Sequence, residues 1–311
     1  MLPEGYSWRR CTPDDAAAIH ALTSRCNTEI VGFADCTLDD VRDRLADPDY
    51  VLETDSWLVR DAGGQVVGFG FTGPRGGGEE VDLDVITSDD RVCRWLHGTA
   101  LARAKELGQP GAPIFLGLYR ADTMRRASAE AHGFAPVRTF YRMRIDHDPA
   151  ARAVDPVAPP GVALRTGPGD EALRRTGHAL LMESFKEHFG WTFETFEHWH
   201  GKLDRESTFD WSMLTVAELD SRPVGVLTTS DRHRADENCG YVGDLGVLAE
   251  ARGRGIAKFL LRTAFAADIR AGRAGTQLAV DAGNSTPALH VYESVGMRPV
   301  LVVDTWQYQR G

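Results

Sequence analysis

The hydrophobic and polar positions repeat one order of elements twice along the chain. In each half, a short strand precedes two helical patterns, a hairpin, a strand, a long helix, an apolar strand, a short helix and a last strand. The first half has predicted strands at 6–11, 57–60, 66–72, 80–87, 114–119 and 137–145, and helices from 14 and at 38–45, 90–107 and 123–132. The second has strands at 162–165, 213–219, 224–229, 241–248, 276–280 and 300–308, and helices at 171–189, 193–203, 254–271 and 287–295.

Short segments align between the halves. Val67-Gly68 matches Val224-Gly225 in the hairpin, and Gly133-Phe-Ala-Pro136 matches Gly296-Met-Arg-Pro299. The Pro/Ala-rich segment 147–161 between the halves is typical of an extended linker, because proline fixes φ and removes a backbone donor. We therefore predict a duplicated α+β fold with mixed sheets, with domains at 1–146 and 162–311, rather than chance likeness between two mixed domains.

Composition narrows the function class. The chain has 311 residues and a net charge of −10, which disfavours a nucleic-acid partner and suits a cationic substrate. It has no apolar run near the ~20 residues that cross a bilayer and no apolar signal segment, so we expect a cytoplasmic protein with no membrane partner. Its five cysteines form no CxxC pair and predict free thiols.

A glycine-rich turn at the head of a helix is the most informative segment. It reads Arg252-Gly-Arg-Gly-Ile-Ala-Lys258 and follows a strand-like run that ends near Leu248. Glycines at 253 and 255 allow a tight turn, and the free N–H groups of the first helical turn form an anion site suited to a pyrophosphate. Taken alone, the segment also fits an unliganded turn on a basic surface. It lacks the GxGxxG pattern of a dinucleotide site.

The segment resembles the Q/R-x-x-G-x-G/A signature of the GCN5-related N-acetyltransferases (GNAT), matched by Arg252, Gly255 and Ala257. Leu245-Gly-Val-Leu248 is similar to the strand before that signature. The runs 278–284 and 288–297 are similar to the family's fifth strand and fourth helix. The resemblance implies two tandem GNAT-like domains, each a mostly antiparallel twisted sheet flanked by helices, and acetyl-CoA as cosubstrate without a metal.

The resemblance also implies site residues. The fourth and fifth strands should part around the pantetheine arm, and a backbone N–H near Val247 should stabilise the oxyanion. Tyr292 stands where the family has a thiol-protonating tyrosine, although it also fits an apolar helix face. The implied coenzyme-binding residues are Leu245, Val247, Leu248, Ala249, Arg252, Gly253, Arg254, Gly255, Ile256, Ala257, Lys258 and Asn284.

The general base is less strongly determined by sequence. Asp244 on the fourth strand is the first candidate, and a solvent-facing or turn-stabilising aspartate is the alternative. Glu183, Glu187 or a water held by Tyr241 are the other candidates for taking the proton. His188 and Trp191 either line the acceptor pocket or form a helix corner. The histidines at 178, 188, 198 and 200 show no metal-ligand spacing.

The first half lacks this signature. Ala129 and Ala121 correspond to Tyr292 and Asn284, and the turn at 85–94 has two acids and no glycine. One active and one inactive half resemble the mycothiol synthase group of actinobacteria. We expect an N-acyltransferase that moves an acetyl group to a small-molecule amine in the second half. An enzyme acting on protein lysines or N-termini and a silent acyl-CoA-binding module stay open, as do a monomer and a homodimer.

Overall fold

The computed structural model describes residues 2–47, 50–75, 79–150, 152–186, 188, 191–283 and 288–309. The chain forms two compact units, Met1–Phe140 with Leu301–Gly311 and Tyr141–Val300. Within the described ranges, every helix is too short or too polar to span a bilayer.

The first unit is a sheet with helices on both faces. Its strands follow the order β1-β2-β3-β4-β5-β12, and neighbouring strands are antiparallel except for the parallel pair β4 and β5. The elements are β1 (Ser7–Arg9), α1 (Ala16–Val31), α2 (Leu38–Ala46), α3 (Leu52–Asp55), β2 (Ser56–Arg60), β3 (Val66–Arg75), β4 (Glu80–Thr87), α4 (Asp90–Leu107), β5 (Ile114–Tyr119), α5 (Thr123–Ala131), the first part of β6 (Phe134–Asp146) and most of β12 (Arg298–Tyr308).

The second unit repeats this plan. Its strands follow the order β6-β11-β10-β9-β8-β7, and β10 and β11 form the parallel pair. The further elements are β7 (Val162–Arg165), α6 (Glu171–Phe185), α7 (Phe196–Arg205), β8 (Leu214–Leu219), β9 (Arg222–Ser230), α8 (Arg234–Glu237), β10 (Cys239–Val247), α9 (Ile256–Arg270), β11 (Gly275–Asp281) and α10 (Ala288–Ser294).

Sequence patterns explain where these elements form. Alternate residues of β4 are buried, so Val81, Leu83 and Val85 pack with the apolar stripe of α4. In the second unit, Asp170 caps α6 by accepting a bond from Leu173 N at 3.0 Å. The helix predicted at 171–189 ends at Phe185, where a turn follows with His188 N bonded to Phe185 O at 2.8 Å. The predicted mixed α/β fold with two like units is confirmed.

The last strand of each half lies, at least in part, in the other unit from the one that the sequence predicts. The predicted boundaries assign the final strand to the second half, but β12 lies beside β5, with Val303 opposite Tyr119 and Gln307 opposite Phe115. Conversely, Tyr141–Asp146 of β6 belongs to the second unit, next to β11. Both strands come with a similar Gly-x-x-Pro segment and have a similar alternation of apolar and polar residues. Either strand can therefore pair with the same kind of sheet edge. A strand pattern predicts a strand and leaves its partner open.

Core packing fits this exchange. Trp306 of β12 is 4% exposed and joins the cluster of the first unit with Trp57, Leu96 and Leu116. Met143 of β6 is fully buried and joins the cluster of the second unit with Leu260.

We predict that Trp306→Ala destabilises the first unit and Met143→Ala the second. Each change removes a large buried side chain, which typically costs about 2–5 kcal/mol. Hydrogen exchange followed by mass spectrometry reports on each unit. Trp306→Ala should speed exchange in β5 more than in β11, and Met143→Ala should do the reverse. The opposite pattern would contradict the exchange of strands.

Candidate active site

The two parallel strands of the second unit part at their C-terminal ends. They pair from Cys239 opposite Gly275 to Val242 opposite Leu278. Beyond this point, β10 remains paired with β9 as far as Val247, while β11 continues to Asp281. Among the described residues, no strand pairs with that edge of the last residues of β10, and its backbone groups can bond an extended ligand. The predicted residues Leu245 and Val247 lie on this stretch and are half-buried.

A β-bulge at Gly243 brings two candidate polar side chains to one face. Val242 opposes Thr229 and Asp244 opposes Thr228, so Gly243 is an additional residue on β10. Without it, Tyr241 and Asp244 would point to opposite faces, because side chains alternate along a strand. On this same face Gly246 packs against Ser184 of α6, where any Cβ would overlap the serine side chain.

Asp244 is held by its neighbour on β9. Its backbone N–H donates to Thr228 Oγ1 at 2.9 Å, and the Thr228 hydroxyl donates to Asp244 Oδ2 at 2.7 Å. Burial raises the pKa of Asp244 above its usual range, and the Thr228 hydrogen bond and Lys202 oppose that rise. A carboxylate with a raised pKa is a better proton acceptor, which suits a general base.

The turn after β10 exposes backbone donors. Ala249–Ala251 forms a 3-10 turn, and Gly253 and Gly255 adopt φ of +77° and +80°. Within the part of the chain that the structure describes, no backbone or side-chain acceptor bonds the N–H groups of Gly253 to Lys258. These groups and the positive end of the α9 dipole favour an anion.

Basic side chains surround these donors. Arg252 and Arg254 are exposed, Lys258 is half-buried, and Arg252 Nε donates to Val247 O at 3.1 Å. Ile256 is 1% exposed and anchors the first turn of α9 in the core, with Ala257 half-buried beside it. Leu248 is half-buried and Ala249 exposed at the start of the turn. The predicted anion-binding residues thus lie together at the end of β10.

Tyr292 of α10 is 9% exposed and lies in the core cluster that α9, β10 and β11 share. Burial raises the pKa of its phenol to about 12, with a smaller contribution from Tyr241. A phenol with this pKa stays protonated at neutral pH and can act as a proton donor. The same position satisfies a purely structural tyrosine, so its catalytic role stays a prediction.

The acceptor-side candidates are spread more widely. Glu183 is exposed on α6 and bonds Lys186 at 2.5 Å, while its neighbour Ser184 faces β10. The His188 ring lies 4.4 Å from that of Phe185, and half-buried Trp191 follows in the next turn, where its backbone N–H donates to His188 O at 3.2 Å. Glu187 and Asn284 lie outside the described residues.

Sequence reasoning missed Thr228, because its contact with Asp244 depends on the register between two strands. Tyr241 is half-buried on β10, with its ring 5.3 Å from that of His233.

The equivalent helix of the first unit has its N-terminus closed. Asp89 caps α4 by accepting bonds from Arg91 N at 2.9 Å and Val92 N at 3.2 Å. Its other oxygen accepts a bond from the Tyr6 hydroxyl at 2.6 Å. A carboxylate of the protein therefore occupies the donors that an anion would need.

The gap between β4 and β5 is also filled. These strands pair from Val81 opposite Ile114 to Leu83 opposite Leu116. Beyond that point, Arg125 of α5 donates to Val85 O at 3.0 Å and is ion-paired with Asp122. Arg125 is 3% exposed, so its side chain takes up backbone acceptor capacity in the stretch that corresponds to the open edge of β10.

Comparison with known proteins finds a family match within the second unit. Residues 178–297 match the family model described as "Acetyltransferase (GNAT) family". The matched segment, which lies within the second unit, is a GNAT-family domain. GNAT enzymes use an acyl-CoA, and the fold described above is theirs. A search of proteins of curated function found no match to this chain.

Solved structures share the fold over the whole chain. A GCN5-related N-acetyltransferase from Sphaerobacter thermophilus is similar, with 23% identity, a TM-score of 0.81 and coverage of 99% of this chain and 96% of that one. A tandem GNAT protein from the clavulanic acid biosynthesis pathway, in a structure without AcCoA, has 18% identity, a TM-score of 0.73 and coverage of 97% and 98%. A GCN5-related glucosamine N-acetyltransferase region of a fungal multi-domain β-N-acetylglucosaminidase has 17% identity, a TM-score of 0.68 and coverage of 99% and 38%.

We predict that Gly255→Glu abolishes acetyl-CoA binding. The carboxylate would stand among the free N–H groups of the turn, and the change should weaken affinity at least ~100-fold, or about 2.7 kcal/mol. Isothermal titration calorimetry with acetyl-CoA measures the effect.

Gly272→Glu is the matched control. Gly272 also adopts a positive φ, +68°, in open space, but it lies at the far end of α9. The Gly272→Glu variant should bind acetyl-CoA with the affinity of the parent, although it carries the same added charge and a similar backbone strain. Equal affinity of both variants and the parent would exclude the turn as the phosphate site.

Proposed function

We propose that the protein transfers an acetyl group from acetyl-CoA to a primary amine of a small molecule, at one site in the second unit. The observation that carries this proposal is the run of free N–H groups at the head of α9, which directly follows the open edge of β10. A pyrophosphate on the turn and a pantetheine arm along β10 fit this arrangement. Both features belong to the unit that holds Asp244 and Tyr292.

The proposed reaction is a direct attack. The amine must be neutral to react, and Asp244 takes its proton, directly or through water. The amine nitrogen then bonds the thioester carbonyl carbon, and a backbone N–H near Val247 stabilises the oxyanion. As the C–S bond breaks, the Tyr292 phenol gives its proton to the departing thiolate. The raised pKa of Tyr292 supports this role, because the phenol remains protonated until the thiolate forms.

One active site per chain follows from the contrast between the units. The first unit caps α4 with Asp89 and bonds Val85 O with Arg125, so we assign it no coenzyme. It keeps the fold as a structural partner. This division supports the resemblance to the mycothiol synthase group in architecture, and we carry over no substrate from it.

Two other functions remain to be separated by experiment. A protein lysine or N-terminal acetyltransferase would use the same coenzyme site with a peptide acceptor. A silent acyl-CoA-binding module would bind the coenzyme without turnover. The raised pKa of Asp244, on the face of β10 next to the open edge, favours an enzyme, because a binding module needs no proton acceptor there.

We predict that free thiol appears from acetyl-CoA when the protein meets a small primary amine. The panel should contain aminosugars, aminoglycoside antibiotics, amino-acid derivatives, and lysine and N-terminal peptides as the contrasting class. Thiol release is followed with a chromogenic disulfide. Turnover only with peptides would contradict the small-molecule acceptor, and acetyl-CoA binding without any turnover would indicate the silent module.

We predict that Tyr292→Phe lowers kcat about 10- to 100-fold while the Kd for acetyl-CoA changes less than threefold. The change removes only the hydroxyl that protonates the thiolate, a contribution of general acid catalysis. Steady-state kinetics and calorimetry measure the two quantities. Tyr308→Phe, in the first unit, is the control and should keep the parental kcat. An unchanged kcat in Tyr292→Phe would make Tyr292 a core residue only.

A further inference from the structure

We infer that Thr228 is the positioning residue that orients the Asp244 carboxylate, an inference that rests on the proposed role of Asp244 as base. Thr228 is 3% exposed on β9, between β8 and β10. Its backbone is paired on both sides, with Leu214 and with Asp244, so the position from which its side chain extends is fixed.

The hydroxyl bonds Asp244 twice. As an acceptor it takes the Asp244 N–H at 2.9 Å, and as a donor it bonds Oδ2 at 2.7 Å. With its acceptor side committed to an N–H, the hydroxyl hydrogen is directed to the carboxylate. No other described residue bonds the side chain of Asp244. The second oxygen, Oδ1, is therefore the one left for the proton of the amine.

Gly243 makes this contact possible. A Cβ at 243 would lie 3.0 Å from Thr228 Oγ1, closer than ordinary contact distance, and the hydroxyl would have to shift by a few tenths of an ångström. The bulge at this glycine also turns Asp244 to the face that carries Tyr241. Gly243, Thr228 and Asp244 thus act together to fix the carboxylate so that Oδ1 is left for the substrate.

The bond also sets the ionisation of Asp244. Burial favours the neutral acid, and a donated hydrogen bond favours the carboxylate. The charged groups that act on Asp244 are Lys202 of α7, which favours the carboxylate, and Glu194 before α7, which opposes it. Glu183 of α6 is exposed and paired with Lys186. These two charges oppose each other, and the Thr228 hydroxyl is the neutral group whose hydrogen bond favours the ionised form of Asp244.

Thr228→Val removes the hydroxyl at nearly constant volume, and Thr228→Ser keeps it. In the valine variant, the pKa of Asp244 should rise by about one to two units, which is the usual contribution of a hydrogen bond to a charged group. The serine variant should stay within a few tenths of a unit of the parent. Thr229→Val makes the same chemical change on the other face of β9 and serves as the control. Carbon-13 NMR of labelled aspartate carboxyls measures the pKa, with the Asp244 signal assigned by its loss in Asp244→Asn.

A second readout is the pH profile of kcat/KM with an amine that the panel identifies. Activity requires ionised Asp244, so kcat/KM falls as pH drops through its pKa. In Thr228→Val, the acidic limb of the kcat/KM profile should shift to higher pH by the same amount as the pKa. In Thr228→Ser, this limb should stay in place. The limb that reflects ionisation of the amine belongs to the substrate and should stay in place. Acetyl-CoA affinity should be parental in all variants.

The outcomes separate the two proposals. Equal carboxyl pKa values in the parent and a folded Thr228→Val variant, with unshifted profiles, would overturn the role of Thr228. Parental turnover in Asp244→Asn would overturn the role of Asp244 as base, while the NMR titration would still report whether Thr228 sets its pKa.

Discussion

The site depends on the parting of β10 and β11 after Val242 and Leu278. A parallel pair that stayed bonded to its ends would consume the backbone groups that a linear thioester needs. In this chain β10 remains attached to β9 through Val247 while its other edge opens. The strand is held rigid on one side and free on the other, and the turn with free N–H groups follows within a few residues.

The two units solve the same problem in different ways. Both begin a long helix after the strand that parts from its parallel neighbour, and both must satisfy the first N–H groups of that helix. In the first unit, the Asp89 side chain does so, supported by Tyr6. In the second, Gly255 precedes the helix with no side chain to cap it, and no acceptor among the described residues bonds the donors. The duplicated scaffold thus differs at the few groups that close or open one helix end, and the proposed division of function follows this difference.

In the proposed reaction, burial prepares Asp244 and Tyr292 for opposite proton transfers. Both groups have raised pKa values because burial disfavours their charged forms. For the carboxyl, this makes a stronger base, provided that it remains ionised. For the phenol, it keeps the proton in place. Thr228 matters because it offsets part of the burial effect at the carboxyl alone, which keeps the two roles apart.

The sequence by itself determined the repeated order of elements, the glycine turn and its basic surroundings, since these depend on local periodicity and backbone freedom. Tertiary structure alone decided the exchange of β6 and β12, because two strands with similar patterns can pair with similar sheet edges. It also decided the distant partners of three side chains: Tyr6 for Asp89, Val85 for Arg125 and Thr228 for Asp244. A residue's type sets what it can bond, but the register of strands sets which group it meets.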